Sequence, residues 1–122
     1  MSDFMLVAVY GTLKRGMANH RLLEEARYVG SDLLTSITLY DLGDYPAALL
    51  ESSEGIQVEL YEVSDAQIAD LDRLEEIDPR NPDAGLYSRC ICQTRHGNAW
   101  IYIYNRAVDG RARIGNGSWT PS

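Results

Sequence analysis

Two groups of residues in this chain have the makings of chemistry. One is Glu75, a carboxylate set among leucines; the other is Tyr10-Gly11-Thr12-Leu13, a glycine turn that ends the apolar run beginning at Met5. At about 100° per residue, Ile68, Leu71 and Leu74 define an apolar arc and Glu75 falls about 40° from its centre, so its side chain is expected to face the core. Asp65, Asp70, Asp72 and Glu76 lie about 100° or more from that centre and are expected to be solvated. Burial disfavours the charged carboxylate and raises its pKa towards the range in which proton transfer works near neutral pH. An inward glutamate therefore either pairs with a cation such as Arg89 or serves as a general acid/base. At the turn, glycine permits positive φ and leaves no Cβ in the way, so successive backbone N–H groups can converge on an anion.

Other candidate constellations fail. Gly11 and Gly16 have the glycine spacing of a phosphate-binding loop, but Met17-Ala18 stands where the Lys-Ser/Thr pair would have to be. His20 and His96 are far apart in sequence, match no metal-ligand spacing and have no nucleophile motif to serve. Cys90 and Cys92 project from the same face of a strand two residues apart, which suits neither a disulfide nor a complete metal site, and they are expected to be reduced, buried thiols. Leu42 to Ala48 reads as a polar turn that presents Tyr45.

These groups must be positioned by a small chain. Its 122 residues fit one domain, residues 1–122, with 111–122 a glycine-rich, partly ordered tail in which Trp119 argues for docking. With 11 basic and 18 acidic residues the net charge is −7 and no basic stripe exists, which argues against nucleic acid as a partner. No apolar run is long enough for a membrane span and no secretory pattern opens the chain, so a cytoplasmic protein without a membrane partner is expected.

Strand signals occur at Met5 to Tyr10, Ile37 to Leu42, Gln57 to Val63, Ser88 to Thr94 and Trp100 to Tyr104. The last two are joined by Arg95-His96-Gly97-Asn98 and are expected to form an antiparallel hairpin. A first helix is predicted over about Asn19 to Ala26, with Asn19 as its cap. A second starts at the capping box Ser64-Asp65-Ala66-Gln67, runs to Glu75 or Glu76 and stops before Pro79. Asp78 to Gly85 reads as a loop.

In order and spacing, VYGTL ending the first strand, GDYPA around Tyr45, GIQVELYEV from Gly55, LDRLEE from Leu71 and YSR from Tyr87 resemble the gamma-glutamylcyclotransferase-like family. The resemblance runs from about Val7 to Tyr104 and is nearest the gamma-glutamylamine cyclotransferase branch and its small bacterial relatives. It implies an α+β fold, a small mixed β-barrel with flanking helices, and an enzyme that releases 5-oxoproline from a gamma-glutamylamine or gamma-glutamyl amino acid without a cofactor.

Carried over to this sequence, Tyr10, Gly11, Thr12 and Leu13 would hold the α-carboxylate and glutamyl backbone of the substrate, and Glu75 would be the catalytic acid/base. Tyr45 and Tyr87 would also line the substrate pocket, and Arg89 would support the barrel. Two departures stand out: Glu76 replaces the glycine that often follows the catalytic glutamate, and the segment Ile77 to Leu86 is long and proline-containing. The other reading is a non-catalytic member that keeps the pocket as a small-anion-binding or protein-interaction module.

Overall fold

The computed structural model describes residues 4–78, 80–81, 84–115 and 117–120. Alternation in the first strand, β1 (Met5–Val9), sends Val7 and Val9 to one side and Ala8, followed by Tyr10, to the other; each side carries its own core. β1 lies at the centre of a five-stranded sheet in the order β2 (Arg27–Leu34), β5 (Ile56–Val63), β1, β7 (Gly97–Tyr104), β6 (Tyr87–Thr94). It pairs antiparallel with β5 and parallel with β7, so the sheet is mixed. A three-stranded sheet of β4 (Pro46–Leu49), β3 (Thr38–Asp41) and β8 (Ala112–Arg113) supplies Leu39 and Ala48, which pack against Ala8, Leu60 and Ile101 in the first core. The second core lies on the opposite face, where Val7, Val9 and Val63 meet Ile68 and Leu71 of the helix α1 (Asp65–Leu74).

The barrel is not one continuous ladder. The sheet curls until the turn between β6 and β7 reaches β2, and side chains make the closure: Asp32 Oδ2 accepts the Arg95 N–H at 2.9 Å, and His96 Nε2 lies 3.0 Å from the Ser31 carbonyl oxygen. The β6–β7 hairpin forms as its sequence predicts, with Thr94 opposite Gly97.

Three elements depart from the sequence expectations. The helix expected over Asn19 to Ala26 is only a 3-10 turn, His20–Leu23, and Asn19 does not cap it. Its amide instead donates to Thr12 Oγ1 at 2.9 Å, a tertiary bond that competes with local capping. β2 carries no clear alternation, because Gly30 and a register shift between Tyr28 and Gly30 interrupt it. β4 begins at Pro46, within the segment that reads as a turn.

The C-terminal tail docks. Lys14, only 6% exposed, donates from Nζ to Ser118 Oγ at 3.0 Å and to the Trp119 carbonyl at 2.9 Å, and the Trp119 side chain is buried in the first core. Pro79 and Pro82, the prolines of the expected loop, lie outside the described residues.

Candidate active site

Beyond Val9 the chain turns at once, with the Lys14 N–H donating to the Gly11 carbonyl at 3.0 Å. Asn19 braces this turn from behind: its N–H donates to the Thr12 carbonyl at 2.8 Å while its side chain holds Thr12 Oγ1. The carbonyls are thereby engaged, while the N–H groups of Gly11, Thr12 and Leu13 have no partner among the described residues. Gly11 is needed for space rather than for positive φ. A Cβ there would lie 2.6 Å from Pro46 Cγ, an impossible approach.

The helix α1 delivers the carboxylate. Its capping box is complete, with the Gln67 N–H donating to Ser64 Oγ at 3.2 Å and the Ser64 N–H to Gln67 Oε1 at 2.8 Å. At the other end Glu75 is the cap residue, one position beyond the last helical residue. The Glu76 N–H donates to the Arg73 carbonyl at 3.2 Å and the Ile77 N–H to the Asp72 carbonyl at 3.0 Å, a full Schellman motif. That motif puts Glu76 at φ 54, in the left-handed region where glycine is favoured, which gives a physical reason for a glycine after the glutamate. Gly85 packs against the same cap: a Cβ there would come within 2.5 Å of the Glu76 carbonyl oxygen.

Both elements face one cavity of about 260 Å³. Glu75 lines it together with Tyr10, Gly11, Thr12, Leu13, Tyr45 and Tyr87, so the structure brings every site residue marked by the sequence into one place. Glu75 is half-buried, accepts no hydrogen bond from the described residues, and has its pKa pushed up to about 7, first by burial and then by the neighbouring charges of Asp72 and Glu76. It can hold or release a proton near neutrality.

The aromatic walls are fixed. Tyr10 donates its hydroxyl to the Tyr102 carbonyl at 2.6 Å, Tyr87 donates to the Pro46 carbonyl at 2.7 Å, and Tyr102 donates to Asp72 Oδ1 at 2.8 Å. Burial raises the pKa of all three phenols, which stay protonated and give the cavity its shape. Tyr45 stands more exposed, its ring 6.5 Å from that of Tyr87. Leu13 contributes backbone, since its side chain is buried in the second core.

One open alternative is decided and one expectation about charge needs correction. Arg89 does not pair with Glu75; its Nη2 donates to Asp72 Oδ2 at 3.2 Å, its Nε sits 3.0 Å from Asp72 Oδ1 without hydrogen-bond alignment, and its guanidinium lies 4.3 Å from the centre of the Trp100 ring. Asp72 is accordingly half-buried rather than solvated, because Arg89 and Tyr102 draw it against the sheet. Asn19, Asp44, Glu76 and Tyr102 also line the cavity. The alternation of Ala99 to Tyr104 is the only sequence signal that could have singled out Tyr102. Among the described residues no group of three His, Cys, Asp or Glu side chains is placed to hold a metal ion.

The family model for gamma-glutamyl cyclotransferase, AIG2-like proteins matches residues 7–121. The chain belongs to that family. The gamma-glutamylcyclotransferase family protein YtfP of Escherichia coli K12 is 34% identical over 115 residues, which cover 94% of this chain and 96% of that one. The gamma-L-glutamyl-butirosin B gamma-glutamyl cyclotransferase of Niallia circulans is 35% identical over 103 residues, or 80% of this chain and 65% of that protein. Among solved structures, that of the Pyrococcus horikoshii protein PH0828 superposes with a TM-score of 0.78 at 26% identity, covering 93% of this chain and 88% of that one. A mouse AIG2-like protein superposes at 0.76 with 22% identity, covering 98% and 90%, and shares the fold. The gamma-glutamyl cyclotransferase-like architecture thus holds for this chain as an α+β fold, with two curled sheets in place of a closed barrel ladder and one α-helix among the described residues.

Proposed function

We propose that this protein is a gamma-glutamyl cyclotransferase that releases 5-oxoproline from a gamma-glutamylamine or gamma-glutamyl amino acid, with Glu75 as general acid/base. The observation that carries this reading is the pairing of opposites in one cavity: a carboxyl group with a pKa near 7 and three backbone N–H groups, at Gly11, Thr12 and Leu13, that have no partner among the described residues. The N–H groups suit an α-carboxylate, and the carboxylate suits the α-ammonium beside it.

In the reaction, Glu75 takes one proton from the α-ammonium. The freed amine attacks the γ-carbonyl carbon, forming the ring C–N bond and a tetrahedral oxyanion. The proton held by Glu75 passes to the nitrogen of the departing amine as its bond to the γ-carbon breaks. The ring nitrogen, which still carries two hydrogens after the attack, gives up the second through the same carboxylate to the departed amine as the oxyanion collapses to the lactam carbonyl; the products are 5-oxoproline and an ammonium ion, with one C–N bond formed, one broken and two protons passed between the nitrogens. Nucleophile and electrophile belong to one molecule, so a cavity that bends the glutamyl chain into a near-attack geometry does much of the work.

Thr12 offers a donor for the oxyanion. The phenols of Tyr10, Tyr87 and Tyr102 already donate to protein oxygens, whereas Thr12 Oγ1 accepts from Asn19 and keeps its own proton to give. Turnover is tested by measuring 5-oxoproline release from a panel of gamma-glutamylamines and gamma-glutamyl amino acids, with Glu75→Gln alongside the wild type. Equal rates in the two proteins would remove Glu75 from the mechanism.

A further inference from the structure

Asp72 is an acid at the wrong end of a helix. The C-terminal turn of α1 carries the negative end of the helix dipole, where a carboxylate is unfavourable, and here it sits one turn before a second carboxylate, Glu75. It is held there by specific partners. Tyr102 donates to its Oδ1 at 2.8 Å, Arg89 Nη2 to its Oδ2 at 3.2 Å, and Arg89 is in turn packed on Trp100. The Asp72 backbone carbonyl accepts the Ile77 N–H, so the same residue also closes the Schellman motif that positions Glu75.

Tyr102 has a second bond that reaches across the cavity. While its hydroxyl grips Asp72 on α1, its carbonyl accepts the Tyr10 hydroxyl at 2.6 Å. One residue of β7 is therefore bonded both to the helix that carries the carboxylate and to the turn that offers the N–H groups.

We propose that Asp72 and Tyr102 are positioning residues: a clamp from Tyr10 through Tyr102 to Asp72 that fixes Glu75 opposite the Gly11–Leu13 turn and keeps a compensated negative charge beside it. The proposal rests on the functional reading above for its kinetic consequence, but its physical content concerns Glu75 alone. The groups that face Glu75 are Asp72 and Glu76 from α1 and its cap, Tyr10 from the turn, Tyr45 and Asp44 from the segment before β4, Tyr87 from β6 and Tyr102 from β7, with Arg89 behind Asp72. Of these, Asp72 and Glu76 raise the affinity of Glu75 for its proton after burial itself.

The two halves of the clamp then have opposite electrostatic signs. Asp72→Asn removes a negative charge and leaves Arg89 uncompensated, so Glu75 gives up its proton more readily. Tyr102→Phe removes a hydrogen-bond donor from Asp72 but keeps the charge, so Glu75 holds its proton as firmly as before or more so.

The test is a carboxyl carbon-13 NMR titration of Glu75, assigned by the signal lost in Glu75→Gln, in the wild type, Asp72→Asn and Tyr102→Phe, alongside kcat and KM for 5-oxoproline release. The Glu75 midpoint is expected to fall by about one unit in Asp72→Asn, and not to fall in Tyr102→Phe. In Tyr102→Phe, kcat is expected to drop about tenfold or more through misplacement of the base, with KM changed much less. An unmoved midpoint in Asp72→Asn, or a fall of equal size in both variants, overturns the clamp; if Asp72→Asn does not fold, a wild-type kcat in Tyr102→Phe does so. A wild type without turnover would instead defeat the functional reading and leave the titration to decide the clamp.

Discussion

Gly11 and Pro46 are packed so closely that a single methyl group on Gly11 would lie 2.6 Å from Pro46 Cγ and 2.7 Å from Pro46 Cδ. The turn bearing the N–H groups of Gly11 to Leu13 and the segment bearing Tyr45 are thus two walls of one cavity in direct contact. Gly11→Ala forces them apart, and the Pro46 carbonyl that accepts from Tyr87 moves with them. A destabilisation of about 1–3 kcal/mol is expected from overpacking, together with a raised KM for gamma-glutamyl substrates. Urea denaturation and the 5-oxoproline assay read the two effects separately.

Glu75→Gln is expected to lower kcat by roughly 10²–10⁴-fold, the usual range for loss of a general acid/base. In the wild type, kcat/KM should rise with pH through an apparent pKa near 7 as the carboxylate becomes available to accept the ammonium proton. That ascending limb should be missing from whatever activity the glutamine variant retains.

The same shift makes a stability prediction of definite sign. The Glu75 pKa is raised from 4.5 to about 7 on folding, so between those values the folded state binds more protons than the unfolded one. Stability attributable to this group is therefore full below pH 4.5 and is lost as pH rises through 7, by an amount on the order of 3 kcal/mol at most. Glu75→Gln lacks the ionisation and should equal or exceed the wild type at pH 8.5, while the two should be nearly alike at pH 5. Paired urea melts at the two pH values decide this.

Glu76 occupies a left-handed backbone position that a non-glycine residue adopts at a cost. Glu76→Gly is expected to stabilise the protein by about 1 kcal/mol, the strain relieved at the cap outweighing the added freedom of the unfolded chain. Removing its charge should also move the ascending limb of the pH profile to lower pH, because Glu76 contributes to the raised pKa of Glu75. The urea midpoint and the pH–rate profile are the measurements.

Lys14 joins the candidate substrate turn to the C-terminal tail through Ser118 and Trp119. Lys14→Met removes the donor to the buried carbonyl of Trp119 and should cost about 1–3 kcal/mol. The loss should appear first as faster amide exchange and proteolysis beyond Ile114, whose N–H donates to the Leu39 carbonyl, before the rest of the fold opens.

Much of this was legible in the sequence because it depends on short-range rules. The phase of Glu75 against Ile68 and Leu71 survives a helix that ends one residue early, since that phase depends only on residue spacing. The capping box at Ser64 and the hairpin of β6 and β7 also formed as read. The helix expected at Asn19 did not form: Thr12 captured the Asn19 side chain, and no local pattern announces such a bond. Likewise β2, at the edge of its sheet and broken at Gly30, has little periodicity to read.

By itself the sequence marked the residues of the candidate site: an inward carboxylate at Glu75, a glycine turn at Gly11, and a family pattern that links them. Tertiary structure alone decided how they are surrounded. It gave Arg89 to Asp72 rather than to Glu75, placed Tyr102 between helix and turn, and made Gly11 a matter of space beside Pro46 rather than of positive φ. Helical phase fixes only the direction in which a side chain leaves its own element. Its partners are set by where β6, β7 and the segment before β4 cross that direction, and those crossings depend on pairings between residues far apart in the chain.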